Sequence, residues 1–445
     1  MVFNLHGNIN NTAVKDSRSP RWFVGVSVSG DASRLDAAVV GVHGQGSGAP
    51  LEIRKAMSFD MPDDLVTLFD KIMLSLSNDD DDNAIAKPVT YHDGFPKHCN
   101  SEEKHSLIRD VTSLEEEAIQ ELLSESHLHP SDIIAVGVSD PGIRQYYANG
   151  QHYESLSSPE LLAQRTGLNI IDSFPARDIA AGGQGGPLFA FPAWVLLKSA
   201  EKDRVLIDLG NVAKTTWIPR STSLIAANKI EHHDIVPCGL LLDSLTYQLT
   251  KGVQTIDQGG RLTVQGCQIP ELLTTWRSLA SNELVWNPYG ISPEPYLRES
   301  VGKSGASWAI RDVLCTATHL IAEETAAVVL QAMQTSGNGD AEIILTGGAA
   351  QHGLLLSRLT TLLDNRPLIP ISRLGIASDT FDALCTAILG VMFVDQIPAN
   401  LPQLTGSETS VALGRITPGT PLQWQRLIQS MSAAKPVSRN LRSAV

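Results

Sequence analysis

The chain has 445 residues, 42% of them apolar and 18% charged, a balance that suits soluble globular lobes rather than a disordered or fibrous polymer, and its length allows two large α/β lobes or about three ordinary domains. A net charge of -14 argues against nucleic acid or an anionic membrane as the main partner, although Asp79 to Asp82 supply part of it. Five scattered cysteines (Cys99, Cys238, Cys267, Cys315, Cys385) without paired spacing, a polar N-terminus and a longest apolar run of only 187–197 point away from disulfide frameworks, signal peptides and membrane spans, so a cytoplasmic location is expected.

In chain order, residues 1–20 and 78–105 lack apolar periodicity and predict a flexible tail and a loop insertion. Trp22 to Val28 predicts a strand, Ser29 to Ser33 a turn and Leu35 to Val42 the returning strand. Gly41 to Gly48 follows a hairpin arm and precedes another strand, so it predicts a hairpin loop and not a dinucleotide turn. Helices are expected over 114–126 and 159–166, and strands over 133–138 and 168–172. Next come Arg177-Asp178 and then Gly182, Gly183, Gly185 and Gly186 around Gln184, with a helix expected from about Pro187. Glycine at this density is tolerated where the backbone needs positive φ or a ligand must come close to it. A plain turn needs one or two glycines, so a ligand loop is the favoured reading.

The second half repeats the opening grammar. Val205 to Leu209 is a strand, Gly210-Asn211 a two-residue turn and Val212 to Ile218 the returning strand. This suggests two similar lobes related by architecture and not by identity. A long helix is expected over 313–334, a strand over 343–346 running into Gly347-Gly348, a helix over 354–363, and Ser378-Asp379 capping a helix over 380–394. The boundaries drawn are a tail 1–20, lobe I 21–200 containing the 78–105 insertion, lobe II 201–419 and a C-terminal extension 420–445 of surface helix and basic tail.

No Gly-x-x-x-x-Gly-Lys-Ser/Thr loop is present, which excludes an ordinary P-loop nucleotidase. His92, His98, Cys99 and His105 are irregularly spaced, and no metal site is assigned to protein side chains alone. Three strand-to-glycine junctions remain, at Gly30, at Gly210-Asn211 and at Gly347-Gly348; glycine amides in such turns can cradle phosphate without a lysine. Asp234 follows the second hairpin on a short strand and is the candidate general base, its alternative being a cap for the helix after Gly239.

Taken together, these motifs resemble the anhydro-N-acetylmuramic acid kinases, a bacterial branch of the actin-like sugar kinases, from Phe23 to about Pro418. The resemblance is carried by Arg177-Asp178 with Gly182 to Leu188, by Gly25 to Gly30, by Asp234 and Asp243, by Ile344 to Gly348, by Gly375-Ile376 through Asp379 and Asp382 to Leu384, and by Asn400 to Pro402, Thr405-Gly406 and Leu413-Gly414. It implies an α/β fold of the two-lobed, actin-like (ribonuclease H-like) kind, with the ligands in a cleft between lobes. It implies ATP and Mg2+ as cofactors, and a small amino sugar as substrate. It assigns Gly30, Asp31, Ala32, Ser33, Asp36, Gly210, Asn211, Gly347 and Gly348 to the nucleotide, Arg177, Asp178, Gly183, Gln184, Gly185 and Asp382 to the sugar, and Asp234 to catalysis. The activity implied is phosphorylation of the sugar 6-oxygen coupled to hydrolytic opening of the 1,6-anhydro ring, in peptidoglycan recycling; a homodimer is compatible with it.

The chain also departs from the family pattern. Where the family carries Gly-Thr-Ser-x-Asp-Gly, this chain has Gly30-Asp31-Ala32-Ser33-Arg34-Leu35, placing a carboxylate where phosphates should approach. Ser139 to Gly142, Val236 to Gly239 and Gly210 to Lys214 also differ from the family's loops. A catalytically silent sugar-binding relative and a kinase for another sugar are the rival readings.

Overall fold

The computed structural model describes residues 2–3, 19–76, 101–147, 150–221, 224–281, 286–287, 290–302, 308–336 and 340–433. The first sheet is built from β1 (Arg21–Val28), β2 (Arg34–Val42), β3 (Leu51–Asp60), β4 (Ile133–Ser139) and β5 (Ile170–Asp172), side by side in the order β3-β2-β1-β4-β5. β2 runs antiparallel to β1, and β4 runs parallel to it. Both faces of β1 and β2 are buried, which is why these strands read as nearly continuous apolar runs. Phe23, Ala38 and Val40 belong to the core on one side, and Val24, Val26, Ala37 and Val39 to the core on the other. That second core is closed by α1 (Ser101–Ser126), through Leu107, Val111, Ile119 and Leu122.

After α2 (Phe174–Ile179) and α3 (Ala190–Leu197), the chain enters the second sheet. Its strands are β6 (Arg204–Leu209), β7 (Val212–Ile218), β8 (Glu231–Pro237), β9 (Glu342–Thr346) and β10 (Leu368–Pro370), in the order β8-β7-β6-β9-β10. Numbering each set of five from its own first strand gives 3-2-1-4-5 twice, with the second strand antiparallel in both. The expected duplication is therefore present as topology, and it is the two-lobed, ribonuclease H-like arrangement.

Between β8 and β9 lie α4 (Gly239–Leu249) and α5 (Ile310–Thr335). α5 is long and apolar enough to cross a membrane by length and composition, but 72% of its apolar window is buried, where Val313, Leu320, Ile321 and Val329 join the core of the second lobe. α6 (Gly353–Leu362) follows β9 and closes that core with Leu355 and Leu359.

The chain then returns to the first sheet. α7 (Phe381–Val394) lies on it so closely that a Cβ at Gly25 would sit 2.0 Å from the Ala383 carbonyl oxygen, and one at Gly137 2.7 Å from that of Thr386. Only glycine allows that backbone approach. β11 (Arg415–Thr417) pairs with β5, and α8 (Pro421–Ala433) forms the C-terminal surface helix. The expected second lobe, 201–419, thus gives its last part to the first sheet, because α7 buries its apolar face between the lobes: Leu384, Ile388 and Val391 share one core with Phe23 and Ala38 of one sheet and with Leu206 and Ile344 of the other.

Other expectations need adjusting. Residues 78–100 lie outside the described residues, but α1 starts at Ser101, so 101–105, His105 included, are helical and not loop. Val2-Phe3 of the expected flexible tail pairs antiparallel with β3. Ser378-Asp379 does not cap α7, whose cap residue Thr380 makes no side-chain capping bond. The helix expected from Pro187 starts at Ala190.

Candidate active site

The equivalent hairpin turns of the two lobes face one another. In the first, Asp31 Oδ1 accepts from Ser29 Oγ at 2.6 Å, Ser33 Oγ at 2.8 Å and Ser33 N at 3.1 Å. The Arg34 amide donates to Ser29 Oγ at 3.0 Å, and Ala32 takes a left-handed φ of 52°. Burial pushes Asp31 up, but these hydrogen bonds, with help from Asn211 of the other lobe, bring it below its ordinary value. The carboxylate expected to stand against incoming phosphate is tied to its own loop by Ser29 and Ser33 and across the lobes to Asn211, at the junction of the two turns. Gly30 lies between the lobes, with space for a Cβ 4.0 Å from Asn211 Nδ2.

The second turn is held by the backbone of other elements. The Gly239 amide donates to the Gly210 carbonyl at 2.9 Å and the Cys238 amide to that of Asn211 at 2.9 Å, so the start of α4 is fixed to the turn. Gly347, at the end of β9 with φ 92°, packs against the same place: a Cβ there would lie 2.3 Å from the Leu209 carbonyl carbon and 2.5 Å from the Gly210 nitrogen. Ser378 Oγ accepts the Gly347 amide at 2.8 Å and is hydrogen-bonded to Thr346 Oγ1 at 2.8 Å, which is the task that displaces it from capping α7. Beside this turn, Gly348 has open space where a side chain would project.

Strand register collects the charges. Lys214 of β7 stands opposite Asp208 of β6 and opposite Asp234 of β8, so the three form one row across three strands. Burial pushes Asp234 up, but the His232 hydrogen bond (Nε2 to Oδ1, 3.3 Å) and the charge of Lys214 outweigh it and hold the carboxylate below its usual range. Burial raises Asp208, with Lys214 opposing. Asp382, in the first turn of α7, is pushed up to about 6 by its crowded surroundings and by the charge of Asp208. It is nevertheless open to solvent, as a residue on a cleft wall would be. Asp243 of α4 is raised to about 7 by burial and by the charges of Asp31 and Asp257. Asp36 is different: it is buried, accepts from Ser58 Oγ and is raised to about 6, so it lies behind the first turn and not in the opening.

The glycine loop runs from α2 toward α3 and is built around Asp178. That carboxylate is fully buried and accepts the Gly185 amide at 2.9 Å on Oδ2 and Asn400 Nδ2 at 3.1 Å on Oδ1. A Cβ at Gly183 would lie 2.2 Å from Asp178 Oδ2, so that glycine is needed by the loop's own packing. Asp178 thus organises the loop, while Arg177 and the Gln184 side chain stay exposed on it. The Gln184 amide donates to Thr405 O and the Glu408 amide to Ala181 O, both at 2.9 Å, which anchors the loop to the C-terminal segment.

The residues present fit a Mg-nucleotide. Carboxylates that raise one another's proton affinity favour a cation among them. Among the described residues no three His, Cys, Asp or Glu side chains converge as metal ligands. Mg2+ asks for less, since it is bound through one or two carboxylates plus substrate phosphates. Sequence reading noted Asp208 at a strand-to-glycine junction and Asp379 among the family-like residues, but assigned neither of them, nor Lys214 or Ser378, to the site. Cross-strand register joins Asp208 and Lys214, and a crossing between lobes places Ser378 and Asp379; neither leaves a local signal.

The family model for anhydro-N-acetylmuramic acid kinase matches residues 96–419. The anhydro-N-acetylmuramic acid kinase of Nitrosomonas europaea is 31% identical over 316 residues, covering 68% of this chain and 80% of that protein. That of Shewanella amazonensis is 29% identical over 321 residues, covering 69% and 81%. Among solved structures, the activator of the 2-hydroxyisocaproyl-CoA dehydratase from Clostridium difficile with bound ADPNP aligns at 11% identity and a TM-score of 0.40, covering 83% of this chain and 94% of that one. By the family match and the curated relatives, the chain belongs to the anhydro-N-acetylmuramic acid kinase family of carbohydrate kinases.

Proposed function

We propose that this protein uses ATP and Mg2+ to phosphorylate anhydro-N-acetylmuramic acid at the 6-oxygen while water opens the 1,6-anhydro bridge, a step of peptidoglycan recycling. The observation that carries this reading is the meeting of the two duplicated turns: Asp31 and Gly30 of one lobe face Asn211 of the other, beside the row Asp208, Lys214 and Asp234. Asp208 and Asp382 would hold the metal together with phosphate oxygens, and the cation would neutralise charge on the transferring group. Gly347 and Gly348 would line the nucleoside side, and Arg177 and Gln184, exposed on the glycine loop, the sugar side.

In this mechanism Asp234 is the base. His232 and Lys214 keep it ionised, so it is ready to take a proton from the water that attacks the anomeric carbon. As the new C–O bond forms, the bond from the anomeric carbon to the 6-oxygen breaks and leaves its electron pair on that oxygen. The 6-oxygen then attacks the γ-phosphorus of ATP, and ADP departs.

A positioned base contributes ~10²–10⁴-fold, so Asp234→Asn should lower transfer by that factor while sugar binding persists. Intact transfer in that variant removes Asp234 as the base. Calorimetry separates the rival class: sugar binding without Mg-ATP binding describes a silent sugar-binding relative.

A further inference from the structure

Arg34 has no part in the mechanism above, yet it is the cation that the first turn carries toward the cleft. It begins β2, and its side chain reaches two carboxylates: Nη1 lies 3.0 Å from Asp379 Oδ1, and Nη2 lies 3.8 Å from Asp36 Oδ2, beyond hydrogen-bond length. Burial disfavours its charge, but Asp36, Asp379 and Asp31 more than restore it, so the guanidinium stays cationic. Its charge is also felt by Asp382 of α7, the carboxylate that faces Asp208 and Lys214.

The two partners differ in kind. Asp36 is buried and tied to Ser58, whereas the Asp379 side chain is 60% exposed. An ion pair with an exposed carboxylate contributes little and exchanges at small cost. Meanwhile the neighbouring anion, Asp31, is engaged by Ser29 and Ser33 on Oδ1 and by Asn211 of the other lobe. An anion arriving beside Asp379, next to Ser378 and the Gly347 amide it accepts, meets the Arg34 guanidinium, whose planar fork of donors matches phosphate oxygens and outcompetes a solvated carboxylate.

We propose that Arg34 is a phosphate-binding residue of this chain: when nucleotide enters, the guanidinium leaves Asp379 and pairs with the terminal phosphates. The inference rests on the ATP-dependent reading above and adds a residue to it. Asp379 then acts as a placeholder that keeps the guanidinium aimed at the cleft in the free protein.

The test is calorimetric titration of the full chain with Mg-ATP, alongside KM for ATP, KM for the sugar and kcat. Arg34→Met keeps the apolar stem and should weaken Mg-ATP by on the order of 10- to 100-fold, as expected for a lost charge-assisted hydrogen bond, with the sugar KM unchanged; Arg34→Lys should recover part of the loss. Asp379→Asn removes the competitor and should bind Mg-ATP as tightly as the parent protein or more tightly. Parent-like binding by Arg34→Met overturns the inference and leaves the kinase reading standing. So does equal weakening by Asp379→Asn, which marks the pair as a brace between β2 and the start of α7. A parent protein that does not bind Mg-ATP overturns both.

Discussion

The two hairpin turns occupy the same place in two copies of one topology, yet they are stabilised in opposite ways. The turn at 29–33 is held by its own side chains, with the Asp31 carboxylate collecting Ser29 and Ser33. The turn at 210–211 is held from outside, by the amides of Cys238 and Gly239 and by the backbone of Gly347 pressed against Leu209. A locally knotted turn can change its chemistry without disturbing the lobe, whereas a turn pinned by two separate segments cannot. Against the family pattern, the first turn has Asp31 and Ala32 where the pattern has two hydroxyl residues and Arg34 where it has an acid, while the second turn keeps Gly210 but also differs from the family's loop up to Lys214.

The sharpest way to break this comparison is Gly347→Ala. The new methyl would overlap the Leu209 and Gly210 backbone, and φ of 92° is strained for any other residue, so a loss of about 3 kcal/mol in denaturant unfolding is expected, together with loss of Mg-ATP binding. A cost below about 1 kcal/mol would show that the second turn is not pinned as described. Asp31→Ala should cost less, about 1–2 kcal/mol, because the damage is confined to one loop. Its pH dependence carries a sign. The folded-state pKa of Asp31 is below its ordinary 3.8, so the stability it contributes is present above 3.8 and disappears as pH falls through the lower folded value. The difference between parent and Asp31→Ala in urea should therefore shrink from pH 7 toward pH 3; a constant difference would mean that the hydrogen bonds do not depend on the charge.

The smallest effect is expected at Asp243, on the helix that leaves the second turn and within range of the Asp31 charge. Burial and that charge raise it to about 7, so the folded state holds a proton that the unfolded chain gives up between about pH 4 and 7, and stability falls as pH rises through that window. Asp243→Asn should raise the thermal midpoint by roughly 2 °C at pH 8 and leave it unchanged at pH 4. An increase of the same size at both values would assign the effect to packing.

Much of this was legible in the residues. Alternation and turn chemistry located β1, β2, β6 and β7 to within a residue or two, because a hairpin is a local object. The glycine-rich stretch was readable as a binding loop for the same reason. Asp178, by contrast, is seen as the loop's internal anchor only once Asn400, more than two hundred residues on, closes over it. Asp36 carried a nucleotide-facing expectation by its neighbourhood in sequence, and the alternation of β2 instead turns it toward Ser58.

Sequence alone located most of the strands and helices and the glycine loop, since each depends on neighbours within a few positions, and the order of those motifs along the chain carried the duplication and the family. Tertiary structure decided the rest. It returned α7 and β11 to the first sheet, because their apolar faces find cover there, and it set Asp208, Lys214 and Asp234 in one row through strand register. It also tied Asp31 to Ser29, Ser33 and Asn211 while leaving Arg34 beside an exposed partner. Which of two adjacent charges faces a ligand depends on the hydrogen bonds that the other one finds, and those are made only when the turn has closed.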